Sequence, residues 1–360
     1  MSGRPLGIGI VGCGMIAEAY ATDLASYDDV RLVGVTDLDL ARAEALAAKR
    51  GWHPYPSLQE LLEEEDVDAV VNLTFPSAHR DVTEACLEAG KHVYSEKPLA
   101  LTSEDAKRLV ELAAERNLRL GCSPCTLMGE AQQTAWKVIR EGRLGQVRVV
   151  YAEANGGRLE TWHPAPAQFY AVGALSDIGV YPLTLIAAML GPARRVSAAG
   201  RVIHPERVTA AGVRFEVATP DFAVLVLELA GGTIVRLTAN FYVPRRSTKQ
   251  VGVEFHGDDG SLYLSDWQRF DATVEYASFG KECKYTSVPL VAPAHPGTEW
   301  GRGVREMAQA IAEGRPHRAT GELAAHVVEI VCATACSIEL GEPVEIRSSF
   351  TPPEPMGWAA

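Results

Sequence analysis

The chain has 360 residues, 47% of them hydrophobic, and a formal net charge of −12. That length suggests two domains, and the apolar content argues against disorder. The charge would repel a phosphate backbone, which excludes a general nucleic-acid binder.

The apolar stretch LGIGIVGCGMIA (6–17) sits where a secretory signal would, but its four glycines fit a strand and a tight loop instead. No run of eighteen or more apolar residues is present, so no membrane span is expected and a cytoplasmic location is.

Through the first third, short apolar runs at 7–11, 31–36, 68–74, 91–95 and 118–122 read as strands. Between them, AEAYATDLASY (17–27), DLARAEALAAKR (39–50), SLQELLEEE (57–65), AHRDVTEACLEAG (78–90) and SEDAKRLVELAAERN (103–117) carry apolar positions at helical spacing. Strands separated by helices predict βαβ units and a parallel sheet.

The rhythm changes after Cys125. A helix, GEAQQTAWKVIREG (129–142), leads to a strand, QVRVVYAEA (146–154), and a Gly/Pro-containing loop (155–174). SDIGVYPLTLIAAML (176–190) reads as a buried helix. Beyond Pro192 the chain turns strand-rich, with FAVLVLEL (222–229), GTIVRLTANFYV (232–243), KQVGVEFHG (249–257), GSLYLSD (260–266) and ATVEYAS (272–278). AGG (230–232) is a hairpin signal. These elements predict a mostly antiparallel sheet with helices on one face, and two helical segments (301–314 and 321–340) close the chain. The class is α/β: a dinucleotide-binding Rossmann domain over 1–124 and a second α/β domain over 125–360 with a large, open, mostly antiparallel sheet.

GIVGCGMIA places Gly12, Gly14 and Ala17 between a strand and a helix, with Met15 and Ile16 opening that helix. Glycines here let the backbone turn tightly and approach a pyrophosphate, which the helix N-terminus attracts. Asp37, 23 residues after Gly14, follows the second strand run. A carboxylate there accepts from the ribose hydroxyls of adenosine and repels a 2′-phosphate, favouring NAD over NADP. The plainer alternative is that Asp37 caps the helix beginning near Leu40.

Seven cysteines are scattered, and CSPC (122–125) has the spacing of a redox pair. Two small buried thiols at a strand end is the simpler reading. No clustered His, Cys, Asp or Glu set has metal-ligand spacing, so no metal is predicted.

Together with the glycine loop, SEKPLA (95–100), NLTFPSAHRDV (72–82) and ALSDIGVYPLTL (174–185) resemble the Gfo/Idh/MocA oxidoreductases over nearly the whole chain and in the same order. The resemblance implies a C-terminal α/β domain whose open sheet joins a homodimer or homotetramer, with the final helices packing back on the first domain. It implies that Lys97 lies near the nicotinamide and the reacting hydroxyl. It also places Glu96 beside it, and Thr74, Pro76 and His79 on the cofactor side. Asp177 contacts substrate, and the position four residues on, a histidine in inositol-dehydrogenase-like members, is here Tyr181. The usual Asn-Arg-x-Phe segment is replaced by SPCTLMG, which alters part of the expected pocket.

The implied substrate is a sugar, cyclitol or related polyol, with hydride passing between a secondary alcohol and NAD. Tyr181 is a poor base at its reference pKa of about 10, and a neighbouring ammonium would lower that value. Lys97 is the candidate. Trp162 can stack on a sugar face, and His163 can bind a hydroxyl or relay a proton. From the residues alone, Asp177 could instead serve its helix dipole and Tyr181 could be an interface aromatic. Two further functions stay open on the same fold: NAD-dependent glycoside cleavage through transient oxidation, and a non-catalytic dinucleotide-binding regulator.

Overall fold

The computed structural model describes residues 4–360. They form two compact units, one made of the residues up to Cys125 together with Glu299–Val328, the other of Thr126–Thr298 and Glu329–Ala360. The continuous stretch 125–360 expected from the sequence is therefore divided, because Glu299–Val328 folds with the first unit.

The first unit is a parallel sheet with helical crossovers. Its strands are β1 (Leu6–Val11), β2 (Val30–Thr36), β3 (His53–Pro54), β4 (Ala69–Asn72), β5 (His92–Ser95) and β6 (Leu120–Cys122). They lie in the order β3-β2-β1-β4-β5-β6, with every neighbouring pair parallel. Ile8, Ile10, Val35, Val70, Val71 and Val93 are fully buried, as expected of strands covered on both faces.

The crossovers carry α1 (Ala17–Leu24), α2 (Leu40–Ala48), α3 (Leu58–Glu63), α4 (His79–Glu88) and α5 (Ser103–Glu115). The strand order reverses between β1 and β4, which opens a crevice at their C-terminal ends. The returning segment is fixed inside this unit. The Cys122 amide donates to the Ala319 carbonyl at 3.0 Å, the Gly301 amide to Asp23 at 3.0 Å, and Arg305 pairs with Asp29 at 2.9 Å.

The second unit begins with α6 (Glu130–Arg140) and β7 (Val147–Asn155), followed by α7 (Ala167–Ala174) and α8 (Val180–Leu190). The strands β8 (Ala193–Arg201), β9 (Glu206–Val208), β10 (Arg214–Glu216), β11 (Phe222–Leu229) and β12 (Ile234–Asn240) come next. They are followed by β13 (Gly252–Gly257), β14 (Gly260–Leu264), β15 (Val274–Ser278), β16 (Thr286–Ser287) and β17 (Val344–Glu345).

Nine of these strands form one sheet, in the order β16-β15-β14-β13-β7-β12-β11-β8-β17. Only β7 and β12 run parallel; the other neighbours are antiparallel. β11 shows the alternation that sets its faces: Ala223, Leu225, Leu227 and Leu229 are buried, while Val224 is half-buried and Val226 is exposed. α6 packs on β14 and β15, and α8 on β7.

Two expectations about helices change. The loop expected up to residue 174 is helical from Ala167, and the expected helix at 176 starts with a π-helical turn over Leu175–Gly179 before α8. Gly173 breaks α7 with φ 84° and ψ 158°. An added Cβ there would stand 2.8 Å from Thr219 Cγ2, so both its conformation and its packing require glycine.

Two stretches also reach the length and mean hydropathy of a membrane span, Ala167–Leu190 (1.5) and Gly321–Leu340 (1.6). The first is 83% buried inside the protein, the property of a core helix.

Candidate active site

The glycine loop joins β1 to α1 in the crevice of the first unit. Gly12 has φ 94°, and an added Cβ would stand 2.7 Å from the Leu73 carbonyl at the end of β4. The loop can therefore cross β4 only with glycine at this position. Gly12→Ala is expected to cost about 1–3 kcal/mol and to remove the stabilisation by NAD. Thermal melting with and without NAD checks it, and an unchanged NAD-dependent shift would refute it.

Gly14 differs, because an added Cβ would meet nothing within 4 Å. The protein itself does not require glycine there; the open space fits a close-lying pyrophosphate. No side chain caps α1, whose N-terminus begins at Ile16 and Ala17. Met15 beside it is 69% exposed. These features fit a dinucleotide phosphate.

Asp37 leaves β2 and ties down the loop. One carboxylate oxygen accepts from the Cys13 amide at 2.7 Å, the other from the Asp39 amide at 2.8 Å. Capping of α2 falls to Asp39, whose side chain accepts from Ala41. Asp37 thus keeps lone pairs for ribose hydroxyls while fixing the loop that meets the phosphates. Cys13, between the two glycines, is held as a neutral thiol. Burial, with the charge of Asp37 adding, pushes its pKa up to about 12.

Two residues expected on the cofactor side also make internal ties. Glu96 is 8% exposed; it accepts the Tyr20 hydroxyl of α1 at 2.6 Å and the Lys97 amide at 3.1 Å. It joins α1 to the segment after β5. His79 is 1% exposed, with Nδ1 2.6 Å from the Pro98 carbonyl and Nε2 3.0 Å from the Thr74 carbonyl.

His79 therefore links the loop after β4 to the Lys97–Pro98 peptide, which is cis. No spacing pattern reveals these ties; both His79 ring nitrogens are engaged, while the Glu96 carboxylate, with one bond per oxygen, keeps lone pairs as Asp37 does. Thr74 and Pro76 are half-buried in the same loop, where the Thr74 hydroxyl donates to Asn72 at 2.6 Å. Lys97 is half-buried.

The Cys122–Cys125 pair is not bridged. Both thiols are free and 3% exposed, and burial pushes both pKa values up, that of Cys125 to about 12. Such thiols are poor nucleophiles at neutral pH, which fits the simpler reading of two small buried thiols at a strand end. Among the described residues no group of three or more His, Cys, Asp or Glu could hold a metal ion.

In the second unit Asp177 lies in the π-helical turn, 9% exposed, and Tyr181 in the first turn of α8, 5% exposed. A widened turn of this kind displaces side chains from the regular helical register and is frequent at functional sites. The Tyr181 ring lies 5.0 Å from that of Trp267 at 36°. Trp162 is 62% exposed and meets His163 edge-on at 5.4 Å; His163 in turn meets Phe169 at 4.6 Å. Burial lowers the His163 pKa against the opposing charge of Asp177, so the ring is neutral at pH 7.

Sequence reading missed the group that holds this segment. Arg207, the middle residue of β9, has a fully buried side chain paired with Glu160 at 2.7 Å and with Asp221. Its guanidinium lies 4.4 Å over the Tyr170 ring, whose hydroxyl also donates to Glu160.

Residues 6–123 match the Gfo/Idh/MocA oxidoreductase family with an NAD-binding Rossmann fold, and residues 132–263 match the Gfo/Idh/MocA C-terminal domain. The trans-1,2-dihydrobenzene-1,2-diol dehydrogenase of Bos taurus is 29% identical over 292 residues, covering 78% of this chain and 83% of that protein. The 1,5-anhydro-D-fructose reductase of Ensifer adhaerens is 29% identical over 262 residues, covering 71% and 74%. Among solved structures, a levoglucosan dehydrogenase in complex with NADH and levoglucosan shares the fold, with a TM-score of 0.82 at 21% identity over 95% of this chain and 100% of that one. Both halves of one family pattern follow each other along the chain, which belongs to the Gfo/Idh/MocA family of oxidoreductases with an NAD-binding Rossmann fold.

Proposed function

We propose that the substrate is a sugar, cyclitol or related polyol, and that Tyr181 exchanges the proton of the reacting hydroxyl. Bound NAD supplies the hydride acceptor, or the donor when reduced. Asp177 accepts from a neighbouring substrate hydroxyl, and Lys97 donates to the oxygen of the reacting one. Trp162 offers an apolar face to the sugar ring.

The observation that carries this reading is the π-helical turn, which sets a buried carboxylate and a buried phenol at the start of an otherwise apolar helix. The names of the two relatives, a diol dehydrogenase and an anhydrosugar reductase, agree with it.

The test is the purified chain with NAD or NADP and a panel of polyols, aldoses and cyclitols, followed by absorbance of the reduced cofactor. Turnover with NAD on members carrying adjacent secondary hydroxyls is expected. Turnover only on simple aliphatic alcohols would reject the substrate class, and a preference for NADP would reject the role of Asp37.

A further inference from the structure

Charge is unevenly distributed beside the turn that carries Asp177. The chain is acidic overall, yet residues 243–250 contain Arg245, Arg246 and Lys249, and no acid. This segment follows β12 and lies on the chain leaving β7, the strand beside it. An added Cβ at Gly157 would stand 3.1 Å from Pro244 Cα, and the Asn155 amide donates to the Gln250 carbonyl at 3.0 Å. The next residue, Arg158, lays its guanidinium 4.6 Å over the Tyr242 ring. On the other side, an added Cβ at Gly156 would stand 2.9 Å from Ile178 Cδ1, and Ile178 follows Asp177 in the π-helical turn. These contacts set residues 156–158 between the Asp177 turn on one side and the start of the 243–250 segment on the other.

The cations of these two segments differ in how they are neutralised. Arg245 pairs with Asp266 and lies 5.4 Å over Trp267, the indole beside Tyr181. Arg158 and Arg246 make no ion pair among the described residues, and both are exposed. Arg158 is oriented by an aromatic ring, which leaves its N–H edge available. A stacked guanidinium presents a planar fork matched to two oxygens of a carboxylate or phosphate.

We propose that the ligand whose polyol end meets the Asp177 turn also carries an anionic group, a phosphate or a carboxylate, bound by Arg158 with Arg246 as the second cation. The proposal rests on the assignment of Asp177 and Tyr181 to the substrate.

The test uses substrates matched except for the anion: glucose, glucose 6-phosphate and glucuronate, and myo-inositol with its monophosphate. Rates with NAD and binding by calorimetry to the NAD-saturated chain are measured for the wild type, Arg158→Ala and Arg246→Ala. The wild type is expected to prefer an anionic member of a pair. The phosphate and carboxylate arms show which anion it takes.

Arg158→Ala is expected to lower kcat/KM and affinity for that member by about 10- to 100-fold, mainly through KM. The neutral member should change by less than about twofold, and salt should weaken only the anionic one. Equal losses on both members would mean a structural role and overturn the proposal, as would anion binding indifferent to Arg158. Anion binding that depends on Arg158 without turnover on any member would support the anion site and reject the assignment of Asp177 and Tyr181.

Discussion

Tyr181→Phe is expected to lower turnover by about 10²–10⁴-fold while leaving the fold and NAD affinity unchanged. The substitution removes one hydroxyl and keeps the ring, which is 5% exposed and packed 5.0 Å from Trp267. A loss in kcat then reports proton exchange, because the packing survives. The rival for that role is His163. Its Nδ1 accepts from the Ala165 amide at 3.0 Å, so the neutral ring carries its proton on Nε2. In that tautomer Nε2 donates and cannot take a proton from an alcohol. His163→Asn should therefore raise KM and spare most of kcat.

Lys97→Ala belongs to the same test, with an expected loss in kcat of about 10²–10³-fold, the scale for one positioned donor to a charge-developing oxygen. The measurements are steady-state kinetics on the best polyol, NAD titration and thermal melting. Full turnover in both Tyr181→Phe and Lys97→Ala would refute the residue assignment, and a large kcat loss confined to His163→Asn would transfer the proton role to that histidine.

What the sequence shows of this protein follows from the range of its interactions. The first unit reads well because each βαβ step is local: an apolar strand, a turn and an amphipathic helix within about thirty residues. Gly12 and Asp37 are legible for the same reason, since strand, loop and acid come in a fixed order. β3 is too short to leave a pattern. β8, ARRVSAAGR, hides because its apolar content is low; it is held by full pairing with β11 and by Arg195 bonded to Glu228.

The side on which a polar residue acts is not a local property. Glu96 stands where the resemblance puts a cofactor residue, and its carboxylate also meets Tyr20, 76 residues away in the chain. The π-helical turn has no periodic signature either. It comes just after the break at Gly173, where Thr219 packs close, a contact visible only once the chain is folded.

Arg207→Met is expected to destabilise the protein by about 3–5 kcal/mol, the cost of leaving buried carboxylates without their cation. The guanidinium is fully buried, Asp221 is 1% exposed at its side chain and Glu160 9%. The group ties the β9–β10 excursion to the segment that carries Trp162 and His163, because Glu160 stands just before them and its carbonyl accepts from the Ala210 amide at 3.0 Å.

The pH dependence separates this from loss of ordinary packing. In the wild type, burial acts to raise the Glu160 carboxyl, but the Tyr170 hydroxyl, its own backbone and Arg207 outweigh it and hold the pKa below the usual range. A depressed carboxyl contributes stability that is present above its unfolded value of about 4.3 and is lost as pH falls through the folded value. Without Arg207 the Glu160 carboxyl lies buried beside Asp221, and its pKa is driven up instead. The variant should then gain stability as pH falls from 8 toward 5, over a range in which the wild type gains none from this group.

Urea unfolding at several pH values measures both slopes. Arg207→Met combined with Glu160→Gln and Asp221→Asn should recover much of the loss, because neutral partners need no cation. A single variant with wild-type stability, or a deficit that stays constant with pH and is not relieved in the triple variant, would show that this buried charge group does not hold the segment in place.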